Sequence, residues 1–160
     1  MKAFVKQVSL LVLMFSTGLF LGCSGIKPYP NTLVQNLHIT TTTDTGSLFS
    51  SVNASLDIYQ VKSDCRLIYA GTVKLDTTSK SVGIPPGKSS YLVFTFASSS
   101  FLAGSSGNTS YETLLRPRKG YHYTINASYI DDIYDVQIRE SHPRNNISRD
   151  IETVGLTNCT

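Results

Sequence analysis

Tryptophan is absent from this chain of 160 residues, and charged side chains make up only 16% of it. Fourteen Lys and Arg stand against eleven Asp and Glu with no basic stripe among them, which excludes nucleic acid as an expected partner because phosphate contacts demand such a stripe. No window of a dozen residues sustains a 3.6-residue period, so amphipathic helices are not expected. No Gly-X-Ser-X-Gly segment presents a serine nucleophile. The three histidines, His38, His122 and His142, have no zinc-type spacing with one another or with the cysteines. On these grounds no catalytic residue, metal ligand or cofactor is expected. A long apolar run is missing too: Val8 to Leu21 is diluted by Ser9, Ser16, Thr17 and Gly18 and falls short of the roughly 20 apolar residues that span a bilayer.

That short run is nevertheless the most informative segment present. Lys2 and Lys6 give it a positive start, and it closes on Phe20-Leu21-Gly22-Cys23. The arrangement resembles the signal peptide and lipobox of bacterial lipoproteins, with Phe20 where Leu is usual two places before the small residue. The resemblance implies cleavage before Cys23, diacylglycerol on its thiol and an acyl chain such as palmitate on the new amine. It also implies that Ser24, a residue other than Asp after the lipidated position, directs the protein to the outer membrane, facing the periplasm. Asn-X-Ser/Thr triplets at Asn53, Asn108, Asn126, Asn146 and Asn158 suit a rival origin as a glycosylated eukaryotic secreted protein, although a chain so rich in Asn, Ser and Thr forms them by chance.

Loss of residues 1–22 would remove Lys2 and Lys6 but no acid, lowering the formal charge from +3 to +1 and leaving 138 residues, enough for one core. Three cysteines are an odd number for an exported chain. Lipidation of Cys23 leaves Cys65 and Cys159 as the expected disulfide, in a compartment that permits one. Closing that loop of about 95 residues stabilises by roughly 4 to 5 kcal/mol on the chain-entropy model. Residues 23–32, with Ser24, Gly25, Pro28 and Pro30, read as a lipid-anchored tether, and residues 33–160 as the folded domain.

Tyr, Phe, Val, Ile and Thr are plentiful in that domain, a composition that favours strands. Strands are expected over Leu33–Thr42, Leu48–Val61, Leu67–Leu75, Ser81–Ile84, Tyr91–Ala97, Glu112–Leu115, Tyr121–Ile130, Ile133–Glu140 and Ile147–Val154, with one long loop at Ser98–Ser110. Asp131-Asp132 as a two-residue turn pairs Tyr129 with Tyr134, Ala127 with Val136 and Ile125 with Ile138, and sets polar Asn126 opposite Gln137 and Thr124 opposite Arg139. Tyr121, Tyr123, Tyr129 and Tyr134 then share a buried face. Leu67, Tyr69, Val73 and Leu75 alternate against Ile68, Ala70, Thr72 and Lys74, and Leu92, Phe94 and Phe96 form another apolar stripe. Faces of this kind bury one another in an all-β, two-layer antiparallel sandwich, immunoglobulin-like or transthyretin-like.

Few residues invite a chemical role. Of Asp131, Asp132 and Asp135, the turn accounts for the first two, and the three lack the glycine and extra oxygens of a calcium loop. Arg116, Arg118 and Lys119, clustered in Arg-Pro-Arg-Lys-Gly, suit anion binding, with phosphate, lipopolysaccharide or peptidoglycan carboxylates as ligands. The segment Ser55-Leu56-Asp57-Ile58-Tyr59-Gln60-Val61-Lys62, behind a lipidated cysteine, resembles the Ile-Tyr-Gln-Leu pattern of type VI secretion outer-membrane lipoproteins. That resemblance implies a transthyretin-like sandwich that anchors a trans-envelope complex. The expected function is therefore non-enzymatic: a membrane-attached binding or assembly protein with an envelope protein partner. Two alternatives stand beside it, an immunity or inhibitor lipoprotein using the Ser98–Ser110 loop as a plug, and a cell-wall hydrolase.

Overall fold

The computed structural model describes residues 25–46, 50–100, 104–144 and 147–158. Among the described residues nine strands form two sheets: β1 (Leu37–Asp44), β2 (Ser50–Val61), β3 (Leu67–Lys74), β4 (Ser79–Val82), β5 (Ser90–Ser100), β6 (Ser105–Leu115), β7 (His122–Ile130), β8 (Ile133–Ser141) and β9 (Ser148–Asp150). One sheet has the order β4-β1-β7-β8-β9 and the other β3-β2-β5-β6. The domain is an all-β, two-layer sandwich. One pairing departs from the antiparallel expectation, because β1 runs parallel to β7 from Leu37↔Tyr123 to Asp44↔Ile130.

The core lies between the sheets. Leu37 and Ile39 from β1, Leu56 and Ile58 from β2, Leu92, Phe94 and Phe96 from β5, and Tyr123 and Ile125 from β7 are each almost wholly buried. Alternation at a period of two puts these side chains inward and their neighbours outward.

The β7–β8 hairpin follows the register expected from its side chains, with Ile125↔Ile138, Ala127↔Val136 and Tyr129↔Tyr134 paired. Asp131 and Asp132 both take positive φ, 50° and 63°, which matches the twist of a two-residue turn to that of its flanking strands. Tyr129 donates its hydroxyl to Asp132 Oδ1 at 2.9 Å and braces the turn. At the tip the expected burial fails for Tyr134, which is 40% exposed. The Tyr134 ring reaches only the margin of the core, 6.4 Å from the Phe96 ring.

Three further expectations are corrected. In β3 the register shifts between Ile58 and Tyr59, so that Ile58 pairs with Gly71, Tyr59 with Tyr69, and Ala70 is the extra residue. A bulge inverts the alternation on either side of it. Tyr69 therefore packs beside Tyr59 on the outer face, with ring centroids 5.4 Å apart, while Val73 packs against the core. The Ser98–Ser110 stretch is mostly not a loop, since β5 and β6 continue as an arm paired from Ser98↔Gly107 to Ser100↔Ser105. Both faces of that arm are largely exposed, so its backbone ladder forms without any hydrophobic alternation to announce it. In the region expected to form a strand from Leu33, pairing begins only at Leu37, and Val34 is 87% exposed.

The segment read as a tether is tied to the sandwich from Lys27 onward. Tyr29 donates its N–H to Thr72 O at 2.9 Å, and Thr72 donates its own to Lys27 O at 2.8 Å. The Tyr29 hydroxyl donates to Gly83 O, and Asn31 bonds both Ser81 O and the Gly83 N–H. The chain crosses from the β3 edge of one sheet to the β4 edge of the other. Glycine permits this approach, because a Cβ on Gly71 would stand 2.6 Å from Tyr29 Cα and one on Gly83 2.5 Å from Leu33 O.

Candidate functional site

The end of the sandwich where β7 begins and β8 finishes carries the most concentrated chemistry. Glu140 shares the inward side of β8 with Val136 and Ile138, yet it is a carboxylate only 3% exposed. Register places it opposite Tyr123, whose hydroxyl donates to Glu140 Oε2 at 2.6 Å and accepts the Arg118 N–H at 2.9 Å. Arg118 donates from Nε to Oε2 at 2.9 Å and from Nη2 to Oε1, a two-pronged pairing. Arg149, brought alongside by the β8–β9 pairing, donates from Nε to Oε1 at 2.8 Å.

These donors govern the local proton affinities. Hydrogen bonding from Arg118, supported by Tyr123 and Arg149 and opposed by burial, holds the Glu140 carboxyl down at about 2. Burial and the bond to Glu140 push the Tyr123 phenol up to about 12. Glu140 is thus a fixed negative charge. Across it Arg118 also lies over the Tyr121 ring, its guanidinium carbon 3.8 Å from the centroid, and the His142 ring meets Tyr121 edge-on at 4.8 Å.

An open depression of about 340 Å³ lies beside this network. Arg116, Arg118 and Arg149 reach it, and Leu114, Ile151 and Val154 supply an apolar wall. Of the three basic residues singled out in the sequence, Arg116 and Arg118 line the depression, whereas Lys119 does not. Arg149 and Glu140 were not foreseen as site residues. Glu140 left a signal, since the hairpin register puts it on the inward side facing Tyr123; Arg149 left none, because it arrives through the short β9.

A second polar group sits on the outer face of the other sheet. Thr72 Oγ1 donates to Asp57 Oδ1 and is hydrogen-bonded to the Tyr69 hydroxyl. Tyr91 donates to Glu112 Oε2, and burial together with that bond pushes its phenol up to about 12. The Tyr59 ring joins the two pairs, 5.4 Å from that of Tyr69 and 6.3 Å from that of Tyr91.

His38 and His122 border one shallow depression with Ser81, and no carboxylate among the described residues lines it. Asp131 and Asp132 form the hairpin turn, and among the described residues no group of three or more His, Cys, Asp or Glu is arranged to hold a metal. Cys65, at φ 61° just before β3, is disulfide-bonded. Cys23 and Cys159 lie outside the described residues. None of the described helices is long and apolar enough to cross a membrane.

No protein-family model matches the chain. No curated protein matches it either. Among solved structures it is similar to transthyretin from Sparus aurata at 14% identity and a TM-score of 0.44, over 68% of this chain and 99% of that one. A sea bream transthyretin in complex with thyroxine gives 13% identity and a TM-score of 0.43, over 66% and 96%.

Proposed function

We propose that this protein is a lipid-anchored envelope protein whose β-sandwich binds or assembles with another envelope protein in the periplasm, without catalysing a reaction. The observation that carries the reading is Phe20-Leu21-Gly22-Cys23 behind a basic start and a short apolar run. The near-neutral charge of the chain beyond Cys23 argues against nucleic acid as the partner. Docking of Lys27 onto β3 gives the reading a geometric consequence. Only three residues separate Cys23 from Lys27, so the four Cα-to-Cα steps of an extended chain reach about 14 Å at most and hold the domain close to the outer-membrane surface.

Of the eight residues that resemble type VI secretion lipoproteins, all but Lys62 fall in β2, where Leu56 and Ile58 face the core and Tyr59 faces out. Their pattern answers to packing, so the anchor role rests on the lipobox. The stretch on which the inhibitor alternative rests is mostly a two-stranded arm rather than a loop.

Cys23→Ser tests the proposal. The variant is expected to accumulate as an unprocessed precursor without palmitate label and to leave the outer-membrane fraction. Unchanged labelling and membrane retention would overturn it.

A further inference from the structure

We propose that the depression beside Glu140 is a binding site for a phosphate monoester, gripped by Arg116, Arg118 and Arg149. Each guanidinium is held at its Nε: Arg116 by Gly87 O at 3.2 Å, and Arg118 and Arg149 by Glu140 at 2.9 and 2.8 Å. All three side chains line the depression and keep outer nitrogens to spare. Nη1 of Arg118 and both Nη atoms of Arg116 and Arg149 have no protein partner among the described residues. Such rigid planar forks match the oxygens of phosphate or carboxylate and lose little freedom on binding.

Charge decides between those two ligands. Three guanidiniums line the depression against one carboxylate, a surplus of two positive charges. A carboxylate ligand neutralises one of them. A phosphate monoester carries nearly two negative charges at neutral pH and neutralises both. Glu140 does not compete for the ligand's place, since it is only 3% exposed and its own oxygens are occupied by Arg118, Arg149 and Tyr123. Leu114, Ile151 and Val154 give the organic part of the ester an apolar surface. Membrane attachment is not a premise, so the site stands or falls separately from the lipid anchor.

The test is calorimetric titration of the purified full chain with phenyl phosphate and with benzoate, which share a ring and differ in charge, alongside co-sedimentation with vesicles containing phosphatidic acid. Phenyl phosphate is expected to bind at least ~10-fold more tightly than benzoate, and Arg116→Gln and Arg149→Gln each to weaken it by about 10-fold, since a hydrogen bond to a charged group is lost. Lys119→Gln, equal in charge change but outside the depression, is expected to change affinity by less than about 2-fold. Vesicle binding that exceeds phenyl phosphate binding and is lost in both arginine variants identifies a lipid headgroup as the source of the ester; equal binding identifies a soluble one. Absence of saturable binding to either phosphate probe, equal affinity for benzoate, or a Lys119→Gln effect as large as those of the arginine variants would overturn the proposal.

Discussion

Val136→Asp is expected to lose on the order of 4 kcal/mol of stability, whereas the same carboxylate one position on, in Gln137→Asp, is expected to change it by less than about 0.5 kcal/mol. Val136 is 7% exposed and pairs with Ala127 on the inward side of the hairpin, while Gln137 faces solvent opposite Asn126. An aspartate at 136 must either strip a charge of water or bind a proton, and the cations of the Glu140 network, Arg118 and Arg149, are already engaged by Glu140. Chemical denaturation of the two variants measures the difference. Equal stabilities would mean that β7 and β8 pair one residue out of step.

Glu140→Gln is expected to cost roughly 3 kcal/mol at neutral pH, because the amide leaves Arg118 and Arg149 without their shared counter-charge. The pH dependence has a definite sign. The folded carboxyl is drawn down from an ordinary 4.5 to about 2, chiefly by Arg118, so the unfolded chain binds more protons between those values. The stabilisation is complete above about pH 4.5 and is lost as the pH falls toward 2, amounting to roughly 3 kcal/mol in all. Glu140→Gln is expected to flatten that part of the acid limb. Wild-type and variant curves that remained parallel from pH 5 to 2 would show that the carboxylate is not held as its geometry requires.

What was legible in the chain was whatever short-range periodicity controls. The hairpin of β7 and β8 was readable to the residue, because Asp131 and Asp132 bracket two runs whose apolar positions match in a single register. The stripe of Leu92, Phe94 and Phe96 was readable for the same reason, each residue reaching the core. The bulge in β3 was not, since an inserted Ala70 leaves the apolar spacing intact and is revealed only by the partner strand. The arm of β5 and β6 was hidden by its serines and glycines, which carry a ladder without burying a face. At the site, Arg116 and Arg118 stood out as a basic cluster, but the carboxylate that orders Arg118 lies 22 positions away and Arg149 still farther along the chain. Such a network is assembled by sheet pairing, which local sequence does not encode.

The proposed role depends on a lipid at one sulfur atom, and intact-mass analysis of the protein extracted from bacterial envelopes tests this most directly. The expected species begins at Cys23, lacks residues 1–22 and carries the added mass of a diacylglycerol and an N-acyl chain. A species with a free Cys23 thiol, or one whose first residue lies elsewhere, would contradict it.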